Sequence, residues 1–248
     1  MAQVQVQTTK SGVIIYSGPS QIDGAPIVGI VTNIYRRTKN SKIGQNTAQL
    51  WIMRADINPI EAIRTHADYA VCGACPHRSP EVGTLAGRTC YVQTRNIQAI
   101  YKAYKAGYTP EGTPADVNSE LHARGRVLRL GAYGDPAALP IDVIETLAQG
   151  IRTLGYTHQW KICNPAYARY CMASCDSIQE SAQAIEAGYR PFFVVKTELD
   201  RFWIEHAALK FVNCPASKEA GNLTTCDKCQ ACAGTRRGQK SLIYINLH

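Results

Sequence analysis

Residues 169–195 read "RYCMASCDSIQESAQAIEAGYRPFFVV". The stretch begins with a short apolar strand, "RYCMASC". It continues into "SIQESAQAIEAG", whose apolar residues recur at helical spacing and whose Ser177 and Glu180 fit a capping box. "PFFVV" follows as a second short apolar strand. Strand, helix and strand in that order make a parallel unit. The same rhythm extends in both directions. Upstream stand strand "RVLRLGAYG" (126–134), helix "PIDVIETLAQGIRTLG" (140–155) and strand "HQWKIC" (158–163), with a turn at Asn164-Pro165. Downstream, Thr197 and Asp200 open helix "ELDRFWIEHAALK" (198–210). Earlier still, "TCYVQTR" (89–95) reads as a strand and "NIQAIYKAYKAG" (96–107) as a helix ending in glycine.

The first part is different. "GVIIYSG", "PIVGIVT" and "AQLWIMRA" are short apolar runs separated by Gly, Pro and Asn, a β-rich lead. These patterns predict one α/β domain over 1–248, with the lead in 1–88, βα units in 89–211 and a cysteine-rich metal-binding segment in 212–240. The favoured architecture is a (β/α)8-like barrel, incomplete or distorted, which at typical size fills nearly this whole chain. An open three-layer sheet is the alternative.

At 248 residues, with 45% hydrophobic and 19% charged content, the composition is that of a globular protein. The apolar runs are too short to span a bilayer, and "MAQVQVQTTK" lacks the basic start and apolar stretch of a signal peptide. The expectation is a cytoplasmic protein without membrane contact, in a compartment that keeps thiols reduced. There, ten cysteines favour metal ligation over disulfides. A net charge of +8 favours a polyanionic partner such as nucleic acid.

"TTCDKCQACAG" (224–234) places Cys226, Cys229 and Cys232 three residues apart, a pattern no regular element needs for packing. Cys214 in "NCPAS" is the natural fourth ligand. The spacing suits zinc, which takes four thiolates tetrahedrally, and equally a [4Fe–4S] cluster. A second group is "VCGACPHR" with "TCYV": Cys72 and Cys75 form a Cys-x2-Cys knuckle, with His77 and Cys90 nearby. Cys171-x3-Cys175 supplies two cysteines of a radical-SAM pattern, but Ile178 stands where the third belongs, so both read as strand residues.

In α/β folds the chemistry gathers where strands end. "RLGAYGDP" ends in Asp135, "MASCDS" reaches Asp176, and "YTHQW" supplies His158 between them. Two carboxylates and an imidazole there are candidates for nucleophile and general base. The candidate phosphate contacts are Arg36, Arg37, Lys39 and Lys42 in "YRRTKNSKIGQNT", and Arg236 and Arg237 in the tail "GTRRGQK".

The "CGACPHR", "GDP" and "CPAS…C-x2-C-x2-C" blocks, in this order, resemble cysteine-rich proteins encoded by bacteriophages, which would place the chain in the host cytoplasm. There is also a fainter, fold-level resemblance to the tRNA-guanine transglycosylases and their DNA-modifying relatives, which are zinc-bearing barrels with two catalytic aspartates. That likeness implies base exchange on nucleic acid, with Asp135 and Asp176 in the aspartate roles and the Cys226 loop holding the metal. The chain departs from that family's Cys-x-Cys-x2-Cys motif and is shorter than its typical members. The leading expectation is therefore a metal-containing enzyme that modifies nucleic acid. Its rivals are a non-catalytic, metal-stabilised nucleic-acid-binding protein of phage replication, and an iron–sulfur redox enzyme.

Overall fold

The structure is a computed structural model and describes residues 12–206, 210–235, 238 and 241–247. Its lead is antiparallel. β1 (Val13–Pro19) pairs with β2 (Pro26–Thr32), and β2 with β3 (Thr47–Arg54). From β3 onward every pairing is parallel. β3 pairs with β4 (Val127–Tyr133), and β4 with β5 (Thr153–Leu154). The second sheet has the order β6 (Tyr156–Thr157), β7 (Met172–Cys175), β8 (Pro191–Val195), β10 (Leu242–Asn246), β9 (Phe211–Asn213). Among the described residues no pairing closes β1 onto β9. The architecture is mixed α/β with two five-stranded sheets.

The two sheets meet along one stretch of chain. β5 and β6 are separated only by Gly155, whose N–H donates to the Cys232 carbonyl at 3.3 Å while its own carbonyl accepts from Met172 N at 2.9 Å. A side chain here would be crowded, because a Cβ would stand 3.0 Å from the Leu130 Cβ and 3.3 Å from the Cys171 sulfur.

Eight helices flank the strands in the described residues: α1 (Pro59–Arg64), α2 (Tyr69–Cys72), α3 (Thr94–Lys105), α4 (Pro114–Ala123), α5 (Ile141–Leu147), α6 (Ile178–Glu186), α7 (Glu198–His206) and α8 (Cys226–Cys229). On β7 and β8, Ala173, Cys175, Phe193 and Val195 point into the large core with Ala184 of α6 and Ile204 of α7. Met172 and Phe192, one residue out of phase, point to the other face and join Val127, Leu154, Ile243, Cys214 and Cys232 in a smaller cluster. This alternation is the pleat of a strand buried on both faces.

Several elements depart from expectation. "TCYVQTR" contains no strand; residues 89–93 are irregular and α3 begins at Thr94. The Cys90 N–H is committed to the His77 carbonyl and both Arg88 guanidinium nitrogens to the Val92 carbonyl, so no ladder forms. "HQWKIC" is a turn, with Ile162 and Cys163 N–H groups returning to the Gln159 carbonyl. The strand it displaced is "TLGYT", drawn in from the expected helix, which ends at Leu147. α4 was not expected, although Thr113 and Asp116 build a full capping box ahead of it with Pro114 at its first position. The Glu180 side chain accepts from Asp176 N rather than from Ser177. Residues 207–209 of the last expected helix lie outside the described residues.

Candidate functional site

The carboxyl ends of β4 in the first sheet and of β6, β7 and β8 in the second carry polar side chains. Asp135 follows β4, His158 follows β6, Asp176 follows β7 and Lys196 follows β8. Asp176 is the hub. Its carboxylate lies 2.8 Å from Lys196 Nζ, 3.2 Å from His77 Nε2 and 3.4 Å from His158 Nε2. His77 comes from the irregular segment after α2, which folds across these strand ends, and its Nδ1 is bonded to Thr89 Oγ1 at 2.8 Å. Cys75 Sγ stands 4.0 Å from His158 Nε2. Burial works against a charged His158, but Asp176 and Cys75 outweigh it and raise its pKa to about 10. Burial works against the Asp176 charge as well, yet His158, His77 and Lys196 hold that carboxyl well below the usual range.

Both expected aspartates meet His158, in different ways. Asp176 faces the imidazole. Asp135 is buried, its Oδ1 accepting from Ala137 N at 3.0 Å and its Oδ2 from His158 N at 2.8 Å. Burial raises its pKa, opposed by these same hydrogen bonds. This is a capping and positioning geometry, with both oxygens turned to backbone donors. Asn keeps one acceptor where Asp supplies two, so D135N is expected to lose about 1–2 kcal/mol of stability in urea unfolding. An unchanged unfolding midpoint would show that the carboxylate does no such work.

Cys72 and Cys90 belong to the same neighbourhood as Cys75. The Cys72 thiol is pushed well up by burial, then by Asp68 and by the two neighbouring cysteines. The second cysteine group thus converges with the strand-end residues. Sequence reasoning missed Lys196 and Thr89. Lys196 was discoverable, because it follows "PFFVV" as directly as Asp176 follows "MASC". Thr89 carries no such signal.

The other cysteines meet elsewhere. Cys214, Cys226, Cys229 and Cys232 line one recess with Leu154, Pro215 and Ile243. Leu154 and Ile243 of its lining belong to one apolar cluster with Val127, Met172, Phe192, Cys214 and Cys232, and the five strand residues among these are each the first or second of their strand. The recess therefore adjoins the amino ends of strands whose carboxyl ends carry Asp176 and its partners. From Met172 to Asp176 the two levels are four residue steps apart, roughly 13 Å. Burial raises the Cys226 thiol to about 11 and the Cys232 thiol to about 12, where neighbouring thiols add to the effect.

Two devices frame the recess. Gly234 lies flat on the turn at Ala168 and Arg169, where a Cβ would come within 2.3 Å of the Arg169 backbone. The buried Arg190 donates to the carbonyls of Ala231 (3.0 Å), Ala233 (2.5 Å) and Ser241. All ten cysteines are free thiols. Cys171 and Cys175 are buried in the main core, while Cys163 is half-buried against the Tyr189 hydroxyl at 3.3 Å.

The basic loop sits at the recess end. Cys226 N and Asp227 N donate to the carbonyls of Lys42 and Ile43, and Asp227 Oδ2 accepts from Asn46 N. Arg36, Arg37, Lys39 and Lys42 are exposed. Arg236 and Arg237 lie outside the described residues.

The fold and these two sites define a mixed α/β protein with polar groups gathered at its parallel-strand ends and a separate four-cysteine recess. No family model, curated protein or solved structure matches the chain. No helix among the described residues is long and apolar enough to cross a membrane.

Proposed function

We propose that the chain is an iron–sulfur enzyme of the α/β type. On this reading Cys214, Cys226, Cys229 and Cys232 hold a [4Fe–4S] cluster, and the reaction centre lies at the strand ends around Asp176 and His158. One observation carries the choice of cluster over zinc. Thiolates on a single zinc ion sit about 3.8 Å apart, from Zn–S bonds near 2.3 Å. Among the described residues no three of these sulfurs lie within 4.8 Å of one another, although all four line one recess. Four donors spread around a common space suit a cluster that offers each thiolate its own iron. Such a cluster supplies one-electron transfer. The chain contributes an apolar cluster at the recess that limits water, and Arg190, which holds the cysteine segment to β8.

The test is anaerobic purification followed by metal and sulfide analysis. About four iron and four acid-labile sulfide per chain, with broad visible absorption, is the expected result. A colourless protein carrying one zinc per chain would replace the cluster with a structural zinc site.

A second reading has its own supporting observation. The exposed basic loop is bonded backbone to backbone to the cysteine segment, so a centre there would order a cationic surface. That suits nucleic acid held by a metal-stabilised surface. Four phosphate contacts through Arg36, Arg37, Lys39 and Lys42 predict a log–log salt slope of about −3 to −4 on duplex DNA. Binding that is absent at low salt would remove this reading.

A further inference from the structure

The geometry points to a divalent metal site at the strand ends, formed by His77, His158 and Asp176, independent of the four-cysteine recess. The candidate donor atoms of these three residues all lie within 4.8 Å of one another, and among the described residues no other trio of His, Cys, Asp or Glu does so. Their separations fit shared coordination. Two donors bound at 2.0–2.1 Å to a tetrahedral ion stand about 3.3–3.4 Å apart. Here the two imidazole Nε2 atoms lie 3.2 and 3.4 Å from the Asp176 oxygens.

The surroundings meet the further demands of such a site. A ligating histidine is usually oriented through its other ring nitrogen, and His77 Nδ1 is held by Thr89 Oγ1 at 2.8 Å, which leaves Nε2 directed at the trio. His158 is anchored through its backbone by Asp135 at 2.8 Å. Asp176 is fixed by Lys196 at 2.8 Å. The side chains are 13%, 20% and 14% exposed, shielded yet within reach of solvent. Two imidazoles and one carboxylate form the donor set of a catalytic zinc or non-haem iron site, with positions left for water or substrate. The Cys75 thiol stands 4.0 Å from His158 Nε2. The ion expected there is zinc or another divalent transition metal, acting as a Lewis acid at the end of the sheet where α/β proteins place their chemistry.

The test is chelator competition for zinc on the intact full-length protein, with iron and sulfide measured in the same samples. Wild type is expected to hold one zinc that D176N weakens by about 100-fold or more, with iron unchanged. T89V alters no ligand and acts at an exposed residue, and it is expected to weaken zinc about 10-fold by freeing the His77 ring. Zinc that both variants hold as tightly as wild type belongs to the cysteine recess or the surface. That result overturns the inference and leaves an ion-pair network of Asp176 with two histidines and a lysine. A wild type that takes up no zinc overturns it equally. A protein lacking iron and sulfide but showing zinc dependent on Asp176 refutes the cluster and upholds this site.

Discussion

Replacing Cys229 with serine is expected to empty the four-cysteine recess and to lower the melting temperature by roughly 10 °C. Cys229 is half-buried at the recess, at the carboxyl end of the single turn of α8. The chain that follows is irregular, and Gln230 adopts a left-handed backbone with φ of 57°. Few hydrogen bonds hold such a segment together, so ligand binding energy becomes folding energy. The damage should extend to the basic loop. Cys226 and Asp227 tie residues 42–46 to the segment, and hydrogen exchange should therefore accelerate in 36–46 as well as in 214–234. The strand-end groups sit at the other end of β7 and should keep their protection. Unchanged iron or zinc content together with an unchanged melting temperature would exclude a centre held by Cys229.

The second large effect is expected from Arg190, which no one would choose as a ligand. R190L leaves the carbonyls of Ala231, Ala233 and Ser241 without their guanidinium donor inside the protein. The Ala233 carbonyl is buried, and abandoning it costs about 1–3 kcal/mol, while the half-buried Ala231 and the exposed Ser241 can turn to water and add less. Burial lowers the Arg190 pKa, so its charge is retained against a desolvation penalty that these carbonyls offset. The same change removes the clamp between β8 and the cysteine segment. Metal retention should therefore fall although all four thiols remain. R190K, with one ammonium in place of a fork, should recover only part of the loss. A variant that unfolds at the wild-type denaturant concentration and keeps its metal would show that the cysteine loop holds its own shape.

The two experiments separate ligands from framework. If C229S loses metal and R190L does not, the recess is organised by the bound centre. If both lose it, the sheet organises the recess. The strand-end trio offers an internal control, because neither substitution touches His77, His158 or Asp176.

Much of the local structure was legible in the sequence. β7, α6 and β8 follow from a period of two, a period of 3.6 and the Ser177 cap, all encoded within a few neighbours along the chain. The β-rich lead was legible for the same reason, as was the membership of Cys226, Cys229 and Cys232 in one unit. Asp176 could be singled out because its place after a strand is itself local. Other features depended on distant pairing. "TLGYT" becomes a strand because β4 and β7 offer it hydrogen bonds on either side of Gly155, whereas Thr153–Gly155 read as a helix end. β10 enters between β8 and β9, out of chain order, and no periodicity reports which neighbours a strand will choose. His77 reaches Asp176, and Thr89 reaches His77, through an irregular segment held by Arg88 and Cys90, so their meeting is a product of tertiary packing. Asp135 shows the boundary most clearly. Its position after β4 suggested chemistry, and only the fold reveals that both of its oxygens are taken by the N–H groups of Ala137 and His158. A sequence specifies which groups are present and their local spacing, while the distribution of hydrogen bonds among distant partners is settled only when the whole core packs.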